Sequence, residues 1–117
     1  MKEAVILSAA RTPVGRFGGT LKAVTDRDIA GLVLKAAIQR AGIRPDQVEE
    51  VIFSQQYRTG VLPPNMARPI AIDAGIPLEV PEYTVAKACG GSLKTVFLAA
   101  QAVKAGDADL LLSLIHI

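Results

Sequence analysis

Hydrophobic and polar residues follow one another along the chain in blocks that predict strands and helices in turn. Short apolar runs bounded by Gly, Pro or charged residues are typical of buried strands, whereas apolar positions three or four residues apart indicate helices. The predicted strands cover residues 4–8, 51–53, 83–85 and 109–117.

The first predicted helix runs between Thr25 and Gly42. Thr25 is a favourable N-cap, Asp26 and Asp28 place negative charge in the first turn, and Gly42 is suited to end the helix. Its apolar positions predict the face that packs on the core: Ile29, Leu32, Val33, Ala36 and Ala37.

Two further helices are predicted, over residues 66–74 and 90–105. Asn65 is the expected N-cap of the former, and Pro69 is tolerated because amides of the first turn lack intrahelical partners. Gly75 and Gly106 end the two helices. The expected apolar face of the later helix consists of Leu93, Val96, Phe97, Ala100 and Val103.

The order of elements, β-α-β-α-β-α-β, predicts an α/β fold with a mostly parallel sheet and helices on both faces. In such folds, active residues lie at the carboxyl ends of strands or the amino ends of helices. Turns or loops are expected at residues 44–46 and through Gly60, Pro63 and Pro64.

Composition narrows the function classes. The chain has 117 residues with a formal net charge of +2, and its basic residues are scattered, so we expect no nucleic-acid partner. No apolar run approaches the ~18 residues of a membrane span, which indicates a soluble, cytoplasmic protein without a membrane partner. The single cysteine excludes an internal disulfide and, by itself, a structural zinc site.

That cysteine, Cys89, is the candidate catalytic residue. It stands between a predicted strand and a predicted helix, where amides of the helix amino end favour a thiolate and can bind an oxyanion. Gly90 and Gly91 leave the approach to it open. The alternative is a small, buried, unreactive cysteine at a tight turn.

The local sequence resembles the thiolase family, the acetyl-CoA acetyltransferases and 3-ketoacyl-CoA thiolases. The resemblance covers most of the chain and rests on an opening signature and four later blocks. These are residues 10–21 (ARTPVGRFGGTL), 65–68 (NMAR), 74–77 (AGIP), 80–89 (VPEYTVAKAC) and 106–109 (GDAD). Departures are Ala86 in place of Asn, Pro69 in place of Gln, and Cys-Gly-Gly-Ser at residues 89–92 in place of Cys-Gly-Ser-Gly or Cys-Ser-Ser-Gly.

The resemblance implies a partial thiolase-like fold and assigns Cys89 a role. Cys89 would be acylated by an acyl-CoA, and the acyl group would then pass to acetyl-CoA. In the degradative direction Cys89 would cleave a 3-ketoacyl-CoA in fatty acid metabolism. The backbone amide of Cys89 would contribute to the oxyanion hole. No metal or other cofactor is implied, since coenzyme A thioesters are substrates. The parent enzyme is expected to be a homodimer or homotetramer.

The resemblance also implies that the chain is an amino-terminal fragment. The activating histidine, the second cysteine and much of the coenzyme A surface lie in the family's carboxyl-terminal half, so the fragment alone is not expected to turn over. An apolar face meant for the absent half should be exposed. Scattered arginines (Arg11, Arg16, Arg58 and Arg68) are expected to be surface residues rather than phosphate ligands.

Residues 112–117 match the translation of CTG TCT CTT ATA CAC ATC, a transposase adapter used in DNA library preparation. We therefore divide the chain into a partial thiolase amino-terminal domain, residues 1–111, and a non-native, adapter-derived tail, residues 112–117. An ordinary hydrophobic strand is the alternative. His116, the only histidine, receives no role.

Two other functions stay open at this stage. A condensing enzyme of the ketoacyl-synthase kind shares the fold and the cysteine but takes acyl groups from carrier proteins; the Arg-Thr-Pro opening at residues 11–13 favours a thiolase. The other alternative is a non-catalytic binding protein that retains half of a thiolase fold.

Overall fold

The computed structural model describes residues 1–56 and 64–116, and the loop predicted through Gly60 and Pro63 lies outside these ranges together with Arg58. The described helices are α1 (Asp26–Ala41), α2 (Ala67–Asp73) and α3 (Gly91–Ala105), the strands are β1 (Glu50–Gln55), β2 (Glu82–Val85) and β3 (Leu111–His116), and short 3-10 turns cover Pro45–Gln47 and Ala88–Gly90.

The three described strands form one parallel sheet in the order β2-β1-β3. Phe53 of the central strand pairs with Thr84 on one side and Leu114 on the other. Because all three strands run the same way, their carboxyl ends lie along one edge of the sheet. The prediction of an α/β fold with a parallel sheet is confirmed.

Helices cover both faces of this sheet. Consecutive side chains of a strand point to opposite faces. Phe53 belongs to the main hydrophobic core, which includes Leu34 of α1 and Ile70 of α2, whereas Ser54 lies against Gly91 of α3. The central strand is buried along most of its length, as expected for a strand covered on both sides.

The predicted strand at residues 4–8 is not formed. Val5, Ile6 and Leu7 are largely exposed, and the segment is attached through side chains: the Ser8 hydroxyl donates to the Ala37 carbonyl oxygen (2.7 Å) and Arg40 Nη1 to the Ala9 carbonyl oxygen (2.8 Å). An apolar run becomes a strand only beside another strand that completes its hydrogen bonds. The described sheet places none beside this one.

Helix α1 has the predicted ends but a different buried face. Thr25 and Asp28 form a reciprocal capping box, and Gly42 ends the helix with a φ of 68°. The predicted face was wrong in detail, since Leu32 is 64% exposed. Small residues occupy part of the true buried stripe, which apolar spacing of large side chains does not reveal: Ala30, Gly31, Leu34 and Ile38.

The structure differs from the sequence-based expectation in the cap of α2 and in the buried face of α3. Asn65 does not cap α2; Met66 holds the cap position without a side-chain hydrogen bond. The predicted face of α3 is apolar but does not pack on the sheet: Leu93 and Phe97 are 62% and 57% exposed, while Gly91 and Thr95 are buried. Gly75 and Gly106 end their helices as predicted, each with a φ of 85°.

Candidate active site around Cys89

Cys89 lies where the sequence predicted, between the carboxyl end of β2 and the amino end of α3. It is the central residue of the 3-10 turn Ala88–Gly90, and its side chain is exposed. The alternative of a buried, structural cysteine therefore does not apply. A thiol in this position is open to a reagent and stands beside the positive end of a 15-residue helix.

The backbone around Cys89 is held in an uncommon conformation. Ala88 has a φ of 38°, the only positive φ of a non-glycine residue in the described part of the chain. Such a conformation costs about 1–3 kcal/mol and persists where the surroundings hold it. Hydrogen bonds close the turn, from the Gly90 amide to the Lys87 carbonyl oxygen (3.0 Å) and from the Gly91 amide to that of Ala88.

The side of this turn that faces the sheet is formed by small and hydroxyl-bearing residues. Gly91 is buried against Ser54 at the end of β1. One helical turn further on, the fully buried Thr95 hydroxyl donates to the Ser92 carbonyl oxygen and accepts from the Ser113 hydroxyl, both at 2.8 Å. These contacts attach the first turn of α3 to β1 and β3.

A second polar network ties α2 to β2, the strand that leads to Cys89. Thr84 Oγ1 donates to Asn65 Oδ1 (2.7 Å) and accepts from the Ala67 amide (3.4 Å), so a strand side chain serves the first turn of α2 in place of the predicted cap. Arg68 Nη1 donates both to Glu82 Oε1 (2.7 Å) and to the Leu78 carbonyl oxygen (2.9 Å).

The position of Arg68 in this network favours a structural role over phosphate binding. Its guanidinium is engaged by the protein, and the Glu82 side chain is only 6% exposed. Arg11 and Arg16 are exposed, as expected for surface residues. Arg58 lies outside the described residues.

Burial and ion pairing shift the pKa values of Glu50, Tyr83 and Asp73. Burial raises the pKa of Glu50, the first residue of β1, and the negative charge of Asp107 adds to the effect. Burial likewise raises the pKa of Tyr83, with a contribution from Glu50. A hydrogen bond from Arg27 lowers the pKa of Asp73, at the end of α2. The causes of these pKa shifts are burial, neighbouring charge and ion pairing.

No group of three or more His, Cys, Asp or Glu side chains in residues 1–56 and 64–116 is arranged to hold a metal ion. None of the helices in that part of the chain is long and apolar enough to cross a membrane.

The chain matches a known protein family along most of its length. The family model described as the thiolase N-terminal domain matches residues 4–114, nearly the whole chain. The chain belongs to the thiolase family. The partial thiolase-like fold inferred from the sequence is confirmed by the superposition on a solved acetyl-CoA acetyltransferase.

Individual relatives agree with the family match. The chain is 49% identical over 112 residues to an acetyl-CoA acetyltransferase of Syntrophomonas wolfei and 48% identical over 113 residues to one of Cupriavidus necator. These alignments cover 96% and 97% of this chain but 28% of each relative. The crystal structure of the Bacillus anthracis acetyl-CoA acetyltransferase superposes with a TM-score of 0.87 at 35% identity, over 97% of this chain and 29% of that one.

One departure from the thiolase pattern has a structural reason. Gly91 stands where the family commonly has serine, and in this chain a Cβ atom at position 91 would overlap the Ser54 hydroxyl oxygen. Sequence reasoning missed Ser54. Its available signal was a polar residue directly after the apolar run 51–53, at a strand end facing the predicted active-site turn.

Proposed function

We propose that this chain is the amino-terminal part of an acetyl-CoA acetyltransferase in which Cys89 carries the acyl group. The observation that carries the proposal is the exposed Cys89 thiol at the amino end of α3, in a chain of the thiolase family. A coenzyme A thioester is the acyl donor and no metal or further cofactor takes part. The match to thiolases favours such donors over the acyl carrier proteins used by ketoacyl-synthase-like enzymes.

The first chemical step uses groups that the chain supplies. The Cys89 thiolate attacks the thioester carbonyl carbon, and a carbon–sulfur bond to Cys89 forms. The carbonyl oxygen becomes an oxyanion, which the backbone amide of Cys89 stabilises beside the positive end of α3. The tetrahedral intermediate then collapses, the bond to coenzyme A breaks, and its thiolate leaves. The product is an acyl thioester on Cys89.

The complete reaction requires groups beyond this step. A Claisen condensation also needs a base that removes a proton from the second acyl group. The chain spans about 28% of the length of its relatives, and we assign that base and the activation of Cys89 to the remainder of the parent enzyme. Acyl transfer to Cys89 is therefore the step to test in these 117 residues.

The test is to incubate the chain with acetyl-CoA at about pH 9, where an ordinary thiol is largely ionised without a base. Digestion and mass spectrometry should find an added acetyl group on the peptide that contains Cys89. Cys89→Ala should lose that peptide signal, and the chain unfolded in concentrated urea should acquire it more slowly. Acetylation at equal rates in the folded and unfolded chain would contradict the proposal, because the helix and its amides would then contribute nothing.

The same experiment separates the proposal from a non-catalytic half-thiolase. A binding protein that merely retains the fold has no need of a reactive thiol, and its Cys89 should behave as it does in the unfolded chain. The assembly of the parent as a homodimer or homotetramer, its cytoplasmic location and its place in fatty acid metabolism belong to this proposal as well.

A further inference from the structure

Gly91, the first residue of α3, packs directly on Ser54 of the sheet. A Cβ atom added to Gly91 would overlap the Ser54 hydroxyl oxygen and come within 3.0 Å of the Ser54 Cβ. Because a Cα–Cβ bond is only about 1.5 Å long, the hydroxyl oxygen must lie against the Gly91 Cα itself. Ser54 is only 2% exposed, so it cannot turn outward freely.

The glycine at position 91 is required by space rather than by backbone conformation. Its φ of −58° and ψ of −44° are ordinary for a helix, and any residue could adopt them. The adjacent Gly90 provides the contrast, since a Cβ atom there would meet nothing within 4 Å. Of the two neighbouring glycines, only Gly91 would bring an added Cβ atom against the sheet.

This contact bears on Cys89 through the short turn that joins them. Cys89 precedes Gly91 by two residues, and the Gly91 amide donates to the carbonyl oxygen of Ala88, whose φ is 38°. A strained turn keeps its shape only when both ends are fixed. The strand β2 fixes the entering end, and the packing of Gly91 on Ser54 fixes the leaving end.

We propose that Ser54 is a positioning residue for Cys89. By filling the space beneath Gly91, it sets how closely the amino end of α3 approaches the sheet, and with that the direction in which the thiol points. This inference rests on the proposed function only in taking Cys89 as the nucleophile, and its test measures thiol reactivity apart from acyl transfer.

The test is a graded series of variants in the 117-residue chain. Gly91→Ala creates the full overlap, Ser54→Ala/Gly91→Ala leaves only the tight 3.0 Å contact, and Ser54→Gly/Gly91→Ala removes both. Gly90→Ala, which adds the same methyl group into open space, is the control for folding. Each variant is treated with iodoacetamide at one fixed pH, and its alkylation rate is compared with that of the same variant in concentrated urea.

The expected result is a graded return of native reactivity. Gly91→Ala should move the Cys89 rate about tenfold toward the value of the unfolded chain, since displacements of about 1 Å at a reacting group can change rates by up to a hundredfold. The first double variant should recover part of the difference and the second most of it. Circular dichroism at the reaction temperature must show equal folded fractions, which separates positioning from loss of stability.

Several outcomes would overturn the inference. Gly91→Ala could fold and react at the unaltered rate, or a folded Ser54→Gly/Gly91→Ala could fail to recover. If Gly91→Ala does not fold, the double variant must restore both folding and reactivity; its failure to fold would refute the complementarity of the two residues. If acetyl-CoA does not acylate the unaltered chain but the alkylation rates of the variants follow the graded series, the proposed function is refuted and Ser54 remains a positioning residue.

Discussion

The ion pair between Arg68 and Glu82 should be the most consequential polar contact to remove. Arg68→Met keeps most of the aliphatic stem but deletes the donor that Nη1 supplies to the Glu82 carboxylate and to the Leu78 carbonyl oxygen. The carboxylate, whose side chain is 6% exposed, would then lie buried without its partner. We expect α2 and β2 to lose their main side-chain connection.

The structure sets the size of this effect. Breaking a buried ion pair typically costs about 3–5 kcal/mol, and a single hydrogen bond to a charged group contributes about 1.5–3 kcal/mol. The Arg68 side chain is 41% exposed, so water can reach the carboxylate once the guanidinium is gone. The range for a hydrogen bond to a charged group therefore applies. We expect the free energy of unfolding to fall by about 2 kcal/mol, which lowers Tm by roughly 8 °C.

Urea unfolding followed by far-UV circular dichroism measures this loss. The matched control is Arg44→Met, which removes the ion pair between Arg44 and Asp46. These side chains are 71% and 59% exposed, so the variant should lose less than about 1 kcal/mol of stability. Adding Glu82→Gln to Arg68→Met should restore part of the stability, because a neutral amide is cheaper to bury than a carboxylate. Equal losses for Arg68→Met and Arg44→Met would refute the reasoning.

Three further predictions concern the exposed helix face, pH and the carboxyl end. Phe97→Ser on the exposed face of α3 should change the free energy of unfolding little, whereas Phe53→Ala in the core should cost about 3–5 kcal/mol in urea unfolding. Arg27 holds the pKa of Asp73 below its ordinary value, so the stability that this pair supplies is present at neutral pH and lost on acidification. Asp73→Asn should therefore lower Tm at pH 7 and leave it unchanged in acid. An equal fall in Tm at both pH values would count against the pair. Genomic DNA spanning codons 112–117 should diverge from the adapter-encoded hexamer, and the same hexamer in that locus would contradict an adapter origin.

Much of the fold could be predicted from local signals. Thr25 and Gly42 mark the ends of α1 because capping chemistry acts within one turn of the chain. The run at residues 51–53 predicted the central strand, and Cys89 was placed correctly at a strand-to-helix junction. Each of these inferences depends on residues close together in sequence.

The misses arose where distant segments decide the outcome. The apolar run at residues 4–8 has strand-like composition, but a strand also requires a neighbour, which composition does not report. Asn65 has the chemistry of an N-cap, yet Thr84 from β2 takes its oxygen into another hydrogen bond. At Gly91, α3 turns a small residue toward the sheet because Ser54 leaves little room there, a fact visible only once the strand and the helix are side by side.

The network of Asn65, Arg68, Thr84 and Glu82 has a consequence for how members of this family are recognised. The block at residues 65–68 carries part of the resemblance to thiolases, yet its described side-chain contacts with β2 join a helix to a strand and none of them involves Cys89. Loss of the cysteine would leave these contacts in place. A match at residues 65–68 therefore reports the scaffold, whereas the turn at residues 88–91 carries the candidate nucleophile.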